Sequence, residues 1–206
     1  INMKRGQIYK GGDNSMNRTE GALKLVSDYL TLGAQIRPDH TAFIFEDSRI
    51  SYKEFYDRVE NLACYFLDIG IQKGDRIAYI MTPRPEFFYL FMAACRIGAI
   101  IVGMSTRHTI HEMEYILNNS AASYIFSLDT MYGIDYQEKI SELYKRCPYL
   151  KGAIIVGEST NLPNSVTIDS ILSKDYTHLK PQLEDRENSL STHDGLIIVY
   201  TSGSTG

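Results

Sequence analysis

The sequence predicts an α/β fold in which helices cover both faces of a mostly parallel sheet. Between Arg76 and Tyr200, short apolar runs alternate about four times with segments whose apolar residues have helical spacing. The run Arg76–Met81 is continuously apolar, which is typical of a strand buried on both faces, and the apolar run Gly195–Tyr200 is predicted to be a last, buried strand. A chain of 206 residues is long enough to bury a substantial core around such a sheet.

The elements before the sheet are predicted to be a helix, a hairpin and a second helix. Apolar residues recur at helical spacing in Ala22–Leu32, and the strand-like runs Thr41–Phe45 and Ile50–Tyr52 indicate a hairpin. Ser51 is a good N-cap, and Glu54 three residues later completes a capping box. The apolar face of the helix that begins there, and the glycine that ends it, are Phe55, Val59, Leu62, Phe66, Ile69 and Gly70.

Strands and helices then alternate along the rest of the chain. Pro85–Ile97 is a nearly all-apolar helix, so we expect its aromatic residues in the core rather than in a binding patch. These aromatic residues are Phe87, Phe88, Tyr89 and Phe91. The other predicted elements are strands Arg76–Met81, Ala99–Met104, Ser123–Ser127, Ala153–Val156 and Gly195–Tyr200, and helices Thr109–Asn118, Tyr136–Tyr144 and Ile168–Leu172.

The polar segment Asp175–Asp194 is predicted to be a loop. Within it, four consecutive charged residues are interpreted as a solvated cluster: Glu184, Asp185, Arg186 and Glu187.

Composition and charge argue against several classes of protein. A net charge of -4 without a long Lys/Arg run makes the chain a poor binder of nucleic acid or of a membrane surface. The most apolar stretch, Phe87–Gly103, contains Arg96 and is too short for a membrane span. Cys64, Cys95 and Cys147 lie far apart and lack zinc spacing, so we expect reduced thiols in a cytoplasmic protein.

The segment after the strand Ala99–Met104 contains titratable residues with two interpretations. His108 and His111, with Glu112 and Glu114, can share a helix face, but no third clustered ligand is evident. We therefore interpret them as a solvated helix start rather than a metal site. Arg107 is a candidate contact for an anion, or else a surface salt-bridge partner.

A run of hydroxyl and glycine residues follows the last predicted strand. Glycine allows close approach of the backbone to an anion, and successive N–H groups and hydroxyls suit phosphate oxygens. Ligands of open α/β sheets bind at this end of the strands, so we interpret the run as a phosphate-binding loop. A flexible linker, a surface turn or an FMN phosphate loop are the alternatives, and the GxxxxGK pattern is absent. The run consists of Thr201, Ser202, Gly203, Ser204, Thr205 and Gly206.

This loop and four earlier segments together resemble the adenylate-forming superfamily, which includes acyl-CoA synthetases, aryl-CoA ligases, peptide-synthetase adenylation domains and luciferases. The likeness runs from about Phe45 to Gly206. Gly103–Thr106 departs from the Pro-Leu-Asn-Pro found there in many acyl-CoA synthetases, so the subfamily stays open. The segments are Ile50–Phe55 with Asn61–Ala63, Gly74–Ala78, Phe91–Ile100, Arg107 with Glu112–Leu117, and Tyr200–Gly206.

The resemblance implies an architecture and a chemistry. Residues 17–206 would be the first subdomain of such an enzyme's large N-terminal domain, incomplete at the C-terminus, after a flexible leader or cloning remnant at residues 1–16. The parent enzyme would use ATP and Mg²⁺ to form an acyl-adenylate from a small carboxylic acid. It would then transfer the acyl group to the thiol of coenzyme A or of a carrier pantetheine. Residues 201–206 would cradle the β- and γ-phosphates of ATP.

The same resemblance places the Mg²⁺ ligand and any catalytic residue outside this chain, so the fragment alone would be inactive. Three other functions stay open. They are an adenylation domain that loads a carrier protein, a non-catalytic nucleotide- or flavin-binding module, and a truncated domain kept as a folding unit. The identity of the acid and the oligomeric state are not predicted.

Overall fold

The structure, a computed structural model, describes residues 23–201. The predicted leader at residues 1–16, its boundary with the next domain and loop residues 202–206 lie outside this range. The helices are α1 (Val26–Ile36), α2 (Tyr52–Asp68), α3 (Pro85–Ile97), α4 (Ile110–Ser120), α5 (Tyr136–Arg146), α6 (Ile168–Leu172) and α7 (Lys180–Asn188). The strands are β1 (Thr41–Phe45), β2 (Ser48–Ser51), β3 (Arg76–Ile80), β4 (Ile100–Gly103), β5 (Tyr124–Leu128), β6 (Thr130–Met131), β7 (Ile134–Asp135), β8 (Gly152–Val156), β9 (Ser165–Thr167) and β10 (Ile197–Val199).

Six of these strands form one parallel sheet, in the order β10–β4–β3–β5–β8–β9. The connection from β3 to β4 runs one way across the sheet, and the connection from β4 to β5 runs back past β3. Because parallel crossovers are right-handed, α3 and α4 lie on opposite faces. α5 packs on α4, whereas α1, α2, α6 and α7 pack with α3 or with one another. The predicted parallel sheet with helices on both faces is therefore confirmed.

The core lies between the inner strands and these two layers of helices. All five residues of β8 are buried, as expected for a strand covered on both faces. On α3, Tyr89 is fully buried, and Phe87 and Phe91 pack against the core. Phe88 instead lies 36% exposed, with its ring 4.9 Å from that of Phe43 on the hairpin. The predicted core packing of this helix is confirmed except at Phe88.

The start of α2 follows the predicted cap but not the predicted capping box. The Ser51 hydroxyl accepts a hydrogen bond from the Glu54 backbone N–H at 3.2 Å. The Glu54 carboxylate instead accepts from Arg58 Nη2, at 2.7 Å. Because Arg58 lies one turn further along the helix, it offers this carboxylate a charged donor. Gly70, with φ of 81°, follows the helix as predicted.

The segment 175–194 is helical at residues 177–188, so the prediction of a loop is wrong there. It contains a 3-10 turn at Thr177–Leu179 followed by α7, and it packs across α2 and α3. We call these residues the strap. Leu183 is the buried residue of α7, which leaves no apolar stripe for a periodicity argument to find. Charged side chains act together with Leu183 to hold this helix in place.

Arg96 on α3 anchors the strap. Its side chain is 5% exposed, and its Nε donates to Glu187 Oε1 at 2.5 Å. Its guanidinium lies 4.9 Å from the centre of the Tyr56 ring. Glu60 approaches Arg96 Nη2 to 3.8 Å and pairs with Lys180 Nζ at 2.5 Å. Burial disfavours the charged guanidinium, but Glu187, Tyr56 and Glu60 outweigh it and raise the pKa of Arg96.

Further cations tie the strap to the ends of α2 and α3. Arg186 donates from Nη1 to the Ile97 carbonyl at 3.3 Å. Lys73 donates to the Ser189 carbonyl at 3.0 Å and pairs with Asp194 at 2.8 Å. Of the predicted solvated cluster, Arg186 and Glu187 are therefore structural contacts, whereas Glu184 and Asp185 are exposed as predicted.

β10 is an edge strand of the described sheet, so its prediction as a buried strand is wrong. Ile197 is 44% exposed and Val199 is 67% exposed. Within residues 23–201 the strand pairs only with β4. A continuous apolar run indicates that both faces of a strand suit burial, but it does not indicate how many neighbouring strands the sheet provides.

The remaining differences concern short elements. The small hairpin of β6 and β7, and the outer strand β9, were not predicted, because each is at most three residues long. The cysteines are free and buried. Among residues 23–201, no helix combines the length and the apolarity that crossing a bilayer requires.

Candidate functional site

The carboxyl ends of the parallel strands form one edge of the sheet, and the predicted phosphate loop follows β10 at this edge. β10 runs parallel to β4, with Ile197 opposite Ile101 and Val199 opposite Gly103. The residues that follow Val199 therefore leave the sheet beside those that follow Gly103. This is the edge at which open α/β sheets bind ligands.

Tyr200 and Thr201 are the described residues closest in sequence to the rest of the loop. The Tyr200 hydroxyl donates to Asn119 Oδ1 on α4 at 2.6 Å. The rings of Tyr200 and Tyr115 meet edge to face, 6.3 Å apart at 81°. Partial burial, with a contribution from Tyr115, raises the pKa of Tyr200, and a hydrogen bond with the Ser120 side chain acts in the opposite direction. Thr201 is exposed.

The other five members of the predicted site lie outside the described residues, so their phosphate contacts stay a prediction. They are Ser202, Gly203, Ser204, Thr205 and Gly206.

The neighbouring loop, residues 104–109, is folded by its own hydrogen bonds. The backbone N–H of Ser105 donates to His108 Nδ1, and that of Arg107 donates to Ser105 Oγ, both at 3.2 Å. The Tyr136 hydroxyl donates to the Thr106 carbonyl at 3.0 Å. These bonds constrain the segment in which the sequence lacks the prolines of many acyl-CoA synthetases.

Arg107 lies exposed on this loop, after the strand that pairs with β10. The structure therefore brings Arg107 and Thr201 to the same edge of the sheet. A contact between Arg107 and an anion stays a prediction.

The start of α4 is solvated, as predicted, and its acid is already engaged. Glu112 Oε2 accepts from the Thr109 backbone N–H at 2.7 Å, and the Thr109 hydroxyl accepts from the Glu112 N–H at 3.3 Å. The hydrogen bonds from Thr109, backbone first, lower the pKa of Glu112. His108 uses Nδ1 as an acceptor, and His111 is exposed. Thr109 and Glu112 thus form a capping box at the start of α4, whereas the capping box predicted at the start of α2 does not form.

Two concave surfaces differ in their relation to this edge. A cavity of about 140 Å³ lies at the opposite, amino edge, where Cys95, Gly98 and Leu190 are among its lining residues. An open groove of about 380 Å³ lies on α4 and adjoins Tyr200 through two shared residues. This groove is lined by His111, Glu114, Tyr115, Asn118 and Asn119.

Tyr115 and Asn119 were not predicted as partners of Tyr200. A signal was present, because the two residues are four apart and share the outward face of a helix. Met113, Ile116 and Leu117 mark the opposite, buried face. Helical spacing alone, however, does not say which distant strand will meet an outward face.

Comparison with known proteins identifies the family. The sequence model described as AMP-binding enzyme matches residues 31–206. The chain is 32% identical over 177 residues to the crotonobetaine/carnitine–CoA ligase of Citrobacter koseri, covering 84% of this chain and 33% of that protein. It is 30% identical over 164 residues to the acyl-CoA ligase SID4 of Ajellomyces capsulatus, covering 77% of this chain and 28% of that protein. The chain thus spans about a third of the length of the curated relatives it matches.

Solved structures show the same fold. Coronafacic acid ligase from Pectobacterium brasiliense superposes with a TM-score of 0.72 at 18% identity, covering 85% of this chain and 33% of that chain. The parallel sheet is consistent with this fold, and the AMP-binding sequence model, which matches most of the chain, shows the family. The chain belongs to the family of AMP-binding enzymes.

Proposed function

We propose that this chain is the N-terminal part of an ATP-dependent carboxylic acid–CoA ligase, in which residues 201–206 hold the β- and γ-phosphates of ATP. The observation that carries the proposal is the position of Thr201, at the carboxyl edge of the parallel sheet, directly before the run Ser202–Gly206. The family match extends through that run. The names of the relatives, which are CoA ligases, support coenzyme A rather than a carrier pantetheine as the acceptor.

In this proposal the residues of this chain bind and orient, and they do not transfer protons. The acid's carboxylate oxygen attacks the α-phosphorus, the bond to the bridging oxygen breaks, and pyrophosphate leaves with its electron pair. The thiolate of coenzyme A then attacks the acyl carbon and displaces AMP. Backbone N–H groups and hydroxyls of residues 201–206 would stabilise the charge that develops on the leaving pyrophosphate.

Mg²⁺ would neutralise charge on the same phosphates. Residues 23–201 contain no group of three or more His, Cys, Asp or Glu side chains placed to hold a metal. We therefore assign no Mg²⁺ ligand to them.

Binding of pyrophosphate to the 206-residue chain tests the loop. We expect titration with pyrophosphate or ATP to shift the amide NMR signals of residues 201–206. Gly203→Val and Ser204→Ala should weaken this binding, because they remove close approach and a donor. Thr192→Ala, at the amino edge, is the matched control. Signals in the loop that do not respond, or an FMN absorption spectrum in the purified protein, would overturn the assignment.

The chain alone should not catalyse adenylation, because one side of a phosphate cradle does not position a carboxylate against ATP. Carboxylate-dependent exchange of pyrophosphate into ATP is the measurement. Exchange by the 206-residue chain above a Gly203→Val background would contradict this expectation.

A further inference from the structure

The end of β10 needs support that its own strand pairing does not supply. β10 is three residues long, and within residues 23–201 its backbone pairs on one side only, with β4. Two of its three side chains are largely exposed. Strand ends with few buried contacts open locally at little cost. Thr201, the next residue, is also exposed.

α4 provides a rigid body next to that strand end. Met113, Ile116 and Leu117 bury one face of the helix in the core. The Thr109–Glu112 capping box closes its first turn. These interactions fix α4 independently of β10.

Tyr200 joins the two elements across 81 positions of sequence. Its hydroxyl donates to Asn119 Oδ1 at 2.6 Å, and its ring meets Tyr115 edge to face at 6.3 Å. Tyr115 and Asn119 are one turn apart, so α4 holds both ends of the Tyr200 side chain. Tyr200 is also the residue directly before Thr201, where the predicted phosphate loop begins.

We propose that Asn119 and Tyr115 are positioning residues, which hold Tyr200 and so fix the point from which the phosphate loop leaves the sheet. This inference rests on the proposed function of residues 201–206. A loop with a fixed starting point loses less conformational freedom when it closes around an anion, and it therefore binds more tightly. α4 also follows directly on the loop of residues 104–109, so one helix sets the relative position of both loops at this edge.

The test uses the 206-residue chain and three substitutions. Asn119→Ala and Tyr200→Phe each remove one partner of the hydrogen bond, whereas Asn119→Asp keeps an acceptor oxygen. Asn118→Ala is the matched control, because Asn118 is the adjacent amide on α4 but donates to the Arg146 carbonyl. The readouts are amide hydrogen exchange of residues 196–201 and the dissociation constant for pyrophosphate. Far-UV circular dichroism verifies that each variant is folded.

We expect Asn119→Ala and Tyr200→Phe each to speed exchange and to weaken pyrophosphate binding by roughly two- to tenfold. Asn119→Asp and Asn118→Ala should keep the exchange rates of wild type, and Asn118→Ala should also keep its dissociation constant for pyrophosphate. The double variant Asn119→Ala/Tyr200→Phe should be no worse than either single variant, since both remove the same bond.

The outcomes separate this inference from the proposed function. Unchanged exchange in Asn119→Ala, or effects that add in the double variant, would overturn the positioning role even if pyrophosphate binds. If the wild-type chain binds no pyrophosphate but Asn119→Ala still speeds exchange, the phosphate-loop assignment is overturned. The Tyr200–Asn119 hydrogen bond would then only stabilise the end of β10.

Discussion

The inner strands of the sheet are held mainly by apolar burial, whereas the strap combines a few buried apolar side chains, among them Tyr176 and Leu183, with charged contacts. β8 is buried along its whole length, and the inner strands bring aliphatic side chains into one core. The strap reaches the same body through the buried Arg96–Glu187 pair and through cations that donate to carbonyls at helix ends. Apolar burial tolerates small shifts, whereas a buried ion pair is strongly destabilised when one partner is lost. The strap is therefore fixed in position by few, specific contacts.

The two regions meet at β10, which follows the strap and carries the candidate phosphate loop. Its partner strand β4 belongs to the core. Ile101 of β4 and Ile197 of β10 lie opposite each other, so they compare the same residue type in the core and at the edge of the sheet. The first is fully buried and the second is 44% exposed.

Truncation of this register pair should give the largest difference. Ile101→Ala should lower the free energy of unfolding by about 3–4 kcal/mol, because it removes buried methyl groups and leaves a cavity. Ile197→Ala should cost less than about 1 kcal/mol, because the side chain is half in water. Urea denaturation measures both. If both substitutions lowered the free energy of unfolding equally, β10 would be as well covered in solution as β4.

Loss of the buried anion should give the next largest effect. Glu187→Gln keeps the shape of the side chain but leaves Arg96 with Glu60 at 3.8 Å as its nearest acid. We expect a loss of about 2–3 kcal/mol in the free energy of unfolding. Glu184→Gln on the exposed face of α7 is the control and should be nearly neutral. If the two variants unfold at the same urea concentration, charge does not anchor the strap.

Cysteine reactivity can show whether the strap opens separately from the core. Cys95 lines the cavity under the strap, and Cys147 lies beyond α5. Burial raises the pKa of Cys95 to about 12 and that of Cys147 to about 11. Both thiols should therefore react slowly with iodoacetamide in the native protein at mildly alkaline pH. Glu187→Gln should speed the labelling of Cys95 severalfold. Comparable acceleration at Cys147 would indicate global unfolding instead.

The same thiols set an alkaline limit on stability. Their folded pKa values lie above the ordinary value of 9.0, so the unfolded chain releases these protons first. The two thiols should therefore leave the free energy of unfolding unchanged below about pH 9 and lower it progressively as pH rises towards 12. Urea denaturation across this range is the measurement. A Cys95→Ala variant should show a weaker fall.

The exposed pair of the strap should have the smallest effect. Lys73 bonds to Asp194 and lowers the pKa of that carboxyl, the Lys73 hydrogen bond being the largest cause. A lowered carboxyl pKa stabilises the fold above the ordinary pKa of 3.8 and loses this contribution as pH falls. Lys73→Gln should shift the urea midpoint slightly at neutral pH, and the shift should be smaller in high salt. A shift that high salt does not reduce would contradict a screened ion pair.

The sequence was sufficient for the parts of the fold that apolar spacing determines. The strands β3, β4, β5 and β8 and the helices α2 and α3 follow from runs and faces of apolar residues, within two residues at each end. α7 could not be found this way, because its position depends on Arg96 some 90 residues earlier, and one charge does not indicate its distant partner. The exposure of β10 and the Tyr200–Asn119 bond likewise depend on which elements become neighbours.

The candidate site, like the fold, was predictable from the sequence only in part. Composition located the hydroxyl- and glycine-rich run, and the fold puts its first residue, Thr201, at the ligand-binding edge. The residues that support the run from α4 carry no motif, because any outward Tyr and Asn one turn apart look like ordinary surface.

A strand that pairs on one side only and exposes aliphatic side chains can pair with a strand of another chain. Ile197 and Val199 project beside backbone groups of β10 that have no partner among residues 23–201. Such an edge recruits strands from neighbouring molecules and seeds association as concentration rises. Val199→Lys should therefore reduce association in concentrated samples. The added charge repels a second copy of the chain, and the pairing of β10 with β4 stays intact.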